Sequence, residues 1–464
     1  MSVAMQDGQT GSQPRPRALF LQPRALQWFE DGKQGVQTRS SQERQAGRFE
    51  LFLDLLYVAI LANFAEGLAD HTNGDQLVKY ILIFVPAWHV WSDLREIMNS
   101  FYNDDLAQRL LILWIMALLV MYGNNARIVD EDIGAMRSTV ASYLAARVSG
   151  MIAHLVYSFS SYHHRRQQRL WVLLSLFTLC LFIPLFVEDL NLRSKAAVAW
   201  VAIIAEECAW FFSYSPVAKR LLKAKYTTAV DVPHEVDRFA AFFIIVLGEF
   251  LYRIIVGSPA VIGFNLGLLR AIWTLVIAFS LNWMYVHGSG SLVQIHPLKH
   301  SVTHAYAWVF LHLPLVASLL AGGHAAANTA VYSEEYPREE IWLLCGGLGC
   351  GVIMLWLIAS LGECGDAPGV LILPKHSRLA LRPIIGIIIC CLPLADDHLG
   401  ITSITSIIMA LFALTVLYEN ITSLQRGAKF WEKWEGTDYP KPSDTIDQSI
   451  EATKSGRRDN DENA

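Results

Sequence analysis

The chain is short of charge. Only 17% of its 464 residues are Asp, Glu, Lys or Arg, against about 25% in an ordinary soluble domain. The mean hydropathy is +0.33. This pairing argues against a set of soluble domains, which the length would otherwise allow. Positive charge is not in excess either: the formal net charge is −5, so nucleic acid is not an expected partner. The seven cysteines show no CxxC and no Cys/His spacing of the zinc type, which excludes a disulfide framework and gives no metal site. They read as structural thiols. No GxGxxG, P-loop, GxSxG or HExxH stands in a convincing context, so no catalytic residue and no cofactor is assigned. What abounds is apolar: 53% of residues are hydrophobic, with 14 Trp, 16 Tyr and 22 Phe. The composition is that of a polytopic membrane protein.

A helix needs about 20 mostly apolar residues to cross a bilayer. Runs at 110–126, 170–187, 305–333, 341–362 and 398–418 hold no charged residue. Runs at 49–66, 78–94, 138–159, 196–215, 239–256, 265–286 and 378–395 carry one or a few, and Arg382 interrupts the last. An all-α protein of about twelve transmembrane helices is therefore expected. Some 28 Lys and Arg fall on the side of the N-terminus, the even-numbered loops and the C-terminus, and about 7 on the other. That bias predicts two cytoplasmic termini.

The tails differ from the middle. Residues 1–47 form a polar segment without an apolar signal core, so the first span is expected to act as an uncleaved insertion signal. Residues 426–464 read as a cytoplasmic tail, charged and disordered beyond 436. Within it Lys429, Phe430, Trp431, Lys433 and Trp434 suggest an interfacial anchor.

The middle divides in two. Arg48-Phe49-Glu50-Leu51-Phe52 opens the first span and Arg238-Phe239-Ala240-Ala241-Phe242 the seventh, 190 residues later. Tryptophans mark the next helix of each half, Trp88 and Trp91 in one and Trp273 and Trp283 in the other. Two six-helix repeats, 48–225 and 226–425, are expected in parallel orientation because six is even.

Ionisable groups at membrane depth are costly and point to function by default. Glu50 and Asp54 share a face of the first helix, and paired carboxylates suit a cation or proton. Glu249 follows Gly248 and precedes Arg253 by one turn, as either a cavity-lining group or an internal ion pair. Arg147, on the face of Tyr143, requires an acid, for which Asp54 and Glu249 are the candidates. Glu206 and Glu207 lie on different faces of their helix. His312 precedes Pro314, which frees a backbone carbonyl. His300 and His304 form an i,i+4 pair without a nearby carboxylate, more in keeping with interfacial histidines than a metal site. Gly347 and Gly351 make a small-xxx-small packing face.

The stretch Phe49-Glu50-Leu51-Phe52-Leu53-Asp54-Leu55-Leu56-Tyr57-Val58 resembles the ELFFDLVFV-like opening of the low temperature requirement A (LtrA) family. His234-Glu235-Val236-Asp237-Arg238-Phe239, continuing to Ile244-Ile245-Val246-Leu247-Gly248-Glu249, is similar to the family's HxxERFGLFTIIVLGE-like motif. Tyr143 to Arg147 and His312 to Leu315 also look like family positions, and Gln27 to Glu30 resembles fungal members. Asp237 and Ala240-Ala241 depart from the pattern, so Arg238 and Gly248-Glu249 are the residues carried over. The family name implies growth at low temperature and names no reaction. A fainter resemblance, through Arg48, Phe52 and Asp54, is to two-repeat lysosomal potassium channels, but Ile244 stands where the second repeat should have its acid.

These features favour a transporter or channel-like permease for a cation, proton or small solute. Glu50, Asp54, Glu249, Arg147, Arg238, Arg253 and His312 are its candidate site, the bilayer its partner, and a homodimer stays open. A membrane enzyme acting on lipid, with His287, His300 and His304 near one membrane face, and a signalling or scaffold protein are the alternatives.

Overall fold

Asp105, Asn191, Asn265 and Ser301 each stand one residue before a helix, and each side chain accepts a backbone N–H from the first turn. Such caps satisfy donors that the helix leaves orphaned and so fix where it begins. The computed structural model describes residues 29–31, 36–38, 47–101, 105–160, 165–224, 230–256, 260, 262–331, 336–367 and 369–427. Most of both expected tails, including the Lys429 to Trp434 anchor, lies outside the described residues. Within the N-terminal segment, strands β1 (Phe29–Asp31) and β2 (Val36–Thr38) pair antiparallel. Only Leu424 to Gly427 of the C-terminal unit are described.

The body is helical. Its first half contains α1 (Arg48–Asp70), α2 (Gly74–Phe101), α3 (Leu106–Ala126), α4 (Ile133–Ser160), α5 (Arg165–Leu179), α6 (Leu192–Tyr214) and the short α7 (Pro216–Leu221). The second contains α8 (Val232–Ile255), α9 (Leu266–His287), α10 (Pro297–His300), α11 (Val302–Asn328), α12 (Arg338–Leu361), α13 (Lys375–Leu379), α14 (Leu381–Cys391) and α15 (Ile401–Thr422). Strands β3 (Gln294–Ile295) and β4 (Glu363–Cys364) tie the loop after α9 to the loop after α12.

Ten helical segments among the described residues are long and apolar enough to cross a membrane, where the sequence suggested twelve. Lys375–Ala395 is among them, so Arg382 does not disqualify it. The two that fall short are α2 and α8. Length is not the reason, since they run 28 and 24 residues. Polarity is: Lys79, Pro86, His89 and Asp93 dilute the apolar run of α2, with Arg95 and Glu96 beyond it, and Glu235, Asp237, Arg238, Glu249 and Arg253 interrupt α8.

In each half the first long helix packs on the second and third, and the third on the fourth. The fifth then tightens into a 3-10 turn containing a proline, Pro184 in Cys180–Phe186 and Pro393 in Leu392–His398. The halves meet where α1 packs against α8 and α11. Two offsets show that α1 and α8 run parallel: Glu50 meets His234 and Asp54 meets Arg238, each 184 residues apart.

Helices α11 and α12 approach each other closely. A Cβ built on Gly347 would meet the Gly322 Cα at 2.5 Å and the Ser318 carbonyl oxygen at 2.7 Å, so only glycine fits. Gly351 lies against Leu319 on the same face, which is the packing role read from the small-residue spacing.

Candidate functional site

The seven candidate residues do not form one site. Asp54 and Arg238 come together in a fork, with Arg238 Nη1 donating to Asp54 Oδ2 and Nη2 to Oδ1, both at 2.8 Å. Trp91 Nε1 adds a third bond to Oδ1 at 2.8 Å, and neither charged residue is exposed. One turn earlier, Glu50 Oε2 lies 3.0 Å from His234 Nε2 and accepts the Gly47 N–H at 2.6 Å. Asn99 then bonds both His234 Nδ1 (3.2 Å) and Glu235 Oε2 (3.1 Å), while Arg95 pairs with Glu235 and lies over the Phe239 ring. Here the carboxylate oxygens of Asp54 are taken by fixed protein donors. The arrangement is a buried clamp between α1 and α8.

Glu249 lies elsewhere. Eleven residues beyond Arg238 on a helix correspond to about 16 Å along its axis. There Glu249 Oε1 accepts from Arg253 Nε at 2.9 Å, and Arg253 reaches Glu66 of α1 at 3.1 Å. All three side chains are partly exposed, and a Cβ on Gly248 would meet nothing within 4 Å. His312 is also separate: its ring packs on Phe239 and Trp308, and its nitrogens meet the Trp308 carbonyl (2.7 Å) and the Tyr285 hydroxyl (3.1 Å).

Arg147 corrects the expectation about its partner. Neither Asp54 nor Glu249 reaches it; it pairs with Asp93 of α2 and, at 3.2 Å, with Glu206 of α6. Around it forms a polar cluster drawn from α2, α4 and α6. Tyr143 donates to Glu206, 2.7 and 2.8 Å from its two oxygens. His89 Nδ1 lies 3.1 Å from Glu206 Oε2, and its Nε2 lies 2.9 Å from Glu207 Oε1. Thus the two glutamates do diverge on α6, and one imidazole spans the gap. A neutral imidazole has one N–H and one acceptor nitrogen. With a carboxylate on each nitrogen, an extra proton must reside on the ring or on one of the acids.

This cluster borders a cavity of about 40 Å³. Phe310 of α11 also lines it, and Pro314 leaves the Phe310 carbonyl without an i+4 donor. Larger cavities flank it. One of about 360 Å³ lies between α2, α4 and α6 and reaches Tyr143. Another of about 460 Å³ shares Trp210 and Val309 with the cluster's own cavity and extends to Lys299 and His300. The cluster therefore sits between two chambers.

His89, Asp93 and the convergence of Glu206 on them escaped the sequence reading. The signal was present: His89 and Asp93 are four apart on α2, as Tyr143 and Arg147 are on α4, so each pair shares a helix face. A further ion pair was also missed. Arg382, completely buried, forks onto Glu419 at 2.6 and 2.7 Å and donates to the carbonyls of Met284 and Gly288 at 3.1 and 2.8 Å. His300 and His304 do face each other at 4.3 Å between rings, with Glu363 3.3 Å from His300. Among the described residues no group of three or more His, Cys, Asp or Glu could hold a metal ion.

The family model described as "Bacterial low temperature requirement A protein (LtrA)" matches residues 45–418. The chain belongs to the LtrA family. No curated protein matches it, and no solved structure does. An LtrA chain with ten apolar helices of spanning length is an integral multi-pass membrane protein, and the bilayer is its environment. The opening motif and the His234 to Phe239 stretch meet in the α1–α8 clamp, whereas the Tyr143 to Arg147 positions fall in the cluster on α2, α4 and α6.

Proposed function

We propose that this LtrA protein is a permease whose proton- or cation-exchanging site is the cluster of His89, Asp93, Tyr143, Arg147, Glu206 and Glu207. The observation that carries it is His89 held between two carboxylates beside a cavity, with Arg147 at the midpoint of a 28-residue helix. Three acids face one guanidinium and one imidazole. Such a set gains or loses a proton or small cation without leaving a bare charge in the membrane. Tyr143 closes the cluster from one chamber and Trp210 from the other, a layout suited to alternating exposure. On this reading α2 and α8 cross the membrane too, giving twelve spans as two parallel six-helix repeats. The matching 3-10 turns at Pro184 and Pro393 support the duplication. The lysine and arginine bias supports cytoplasmic termini, and the family name supports a link to growth at low temperature.

Proteoliposomes loaded with a pH-sensitive dye test the site. Proton flux lost in Glu206→Gln and His89→Gln, but kept in Glu249→Gln, supports it; equal flux in all three variants removes it. A membrane enzyme is the second reading, favoured by His300 between Glu363 and His304. It predicts altered lipid composition on loss of His300, with no flux from any liposome.

A further inference from the structure

The cavity of about 360 Å³ contains something the proton site does not explain. Lys195, three residues into α6, is 7% exposed and lines it, yet its ammonium has no ion-pair or hydrogen-bond partner among the described residues. Thr139 of α4 is 5% exposed and lines the same cavity, and its hydroxyl also lacks a partner. The nearby acid Asp130 is taken by Lys79 at 2.5 Å, and Asp75, the cavity's other acid, is exposed in the first turn of α2. An ammonium that faces a largely apolar cavity without a counter-charge favours an anion there. Gln76, Lys79 and Arg193 also line the cavity, so its charge is net positive, and Leu82, Ile83, Val140, Phe182, Leu185 and Ala199 form its apolar walls. The volume lies within the roughly 300–1,000 Å³ of small-molecule sites.

We propose that this chamber binds an amphipathic organic anion. Its acid group accepts hydrogen bonds from Lys195 and Thr139, and its hydrocarbon part lies along α2 and α4 toward Tyr143. Both polar residues stand within two turns of the starts of their helices, so the acid group sits near the membrane surface and the chain below it. An organic cation of the same shape meets the Lys195 charge and is rejected. Binding at this site does not depend on proton exchange at His89; only a role for the anion as transported substrate rests on the permease reading.

Titration calorimetry on the full chain in phosphatidylcholine nanodiscs, with empty discs subtracted, tests the site. Octanoate binds saturably and octyltrimethylammonium does not. Lys195→Met weakens octanoate by about tenfold or more, the scale of a lost charge-assisted hydrogen bond. Lys195→Arg retains it, and 1-octanol binds the wild type and Lys195→Met alike. Equal octanoate affinity in wild type and Lys195→Met, or equal affinity for the cation, overturns the proposal. Should Lys195→Met lose 1-octanol as well, Thr139→Val decides: selective weakening of octanoate supports the site, and unchanged affinity overturns it. Discs containing phosphatidylglycerol identify the source of the acid group. Competition with octanoate in the wild type assigns it to a lipid headgroup, and its absence to a free amphipathic acid. Octanoate bound without proton flux leaves this site standing while the permease reading falls.

Discussion

Asp54 and Arg238 share two hydrogen bonds of 2.8 Å across 184 residues of sequence, and both are completely buried. Glu50 and His234 repeat the same offset one turn earlier. The pair joins the opening helices of the two halves, so it belongs to the architecture before it belongs to any transport step.

Breaking that pair on one side leaves an unpaired charge in a buried contact, which costs about 3–5 kcal/mol. Asp54→Asn or Arg238→Met alone is therefore expected to lower the unfolding temperature of the detergent-solubilised protein sharply. The double change Asp54→Leu with Arg238→Met, which removes both charges, is expected to lower it less. Size-exclusion recovery after a heating series reads the order. A double variant no better than the worse single one contradicts the clamp.

The cluster on α2, α4 and α6 behaves differently. Among the described residues Glu207 pairs only with His89 and keeps a side chain 28% exposed, whereas Glu206 is almost fully buried and serves His89, Tyr143 and Arg147 together. Glu206→Gln is expected to lose proton flux and some stability, while Glu207→Gln alters the pH dependence of flux with little loss of stability. Proteoliposome flux measured across a pH series, with heat survival in parallel, separates them. Matching effects of the two variants would argue against a division of labour.

Helix packing gives a control within one short stretch. Gly347→Ala forces a methyl into the Gly322 backbone, whereas a Cβ on Gly346 meets nothing within 4 Å. Overpacking of that kind costs about 1–3 kcal/mol. Heat survival should fall for Gly347→Ala and hold for Gly346→Ala, because only the first pushes α11 away from α12.

One titration lies in the loop before α10. Burial, with Lys299 close by, lowers the His296 pKa from 6.5 to about 4. Its Nδ1 accepts the Leu298 N–H at 3.3 Å, a bond that protonation removes. The folded chain thus binds fewer protons than the unfolded one between these values. The contribution of His296 to stability is complete above pH 6.5 and is lost as pH falls toward 4. Histidine NMR in nanodiscs, comparing wild type with His296→Gln, should show one resonance titrating near pH 4. A titration near 6.5 contradicts the cap.

Apolar run length was enough to place most of the helices, because a bilayer-crossing helix must be long and apolar over most of its turns. The motif carrying Asp54 and the motif carrying Arg238 were also legible, each as a local pattern of residues. Their mutual pairing was not, since no local rule joins positions 184 apart. Asp93 went unremarked because one acid in an apolar run reads as an interruption until its partner is known. That partner, Arg147, is on a helix whose distance from α2 depends on packing. Chain chemistry thus settled that this is a helical membrane protein of the LtrA family with a handful of charges inside it. Packing settled which charges neutralise one another, setting Asp54 in a clamp, Glu249 near a helix end, and His89 between Glu206 and Glu207. The physical reason is range: helix propensity and hydropathy act over a few residues, whereas an ion pair forms wherever two distant helices bring opposite charges within reach.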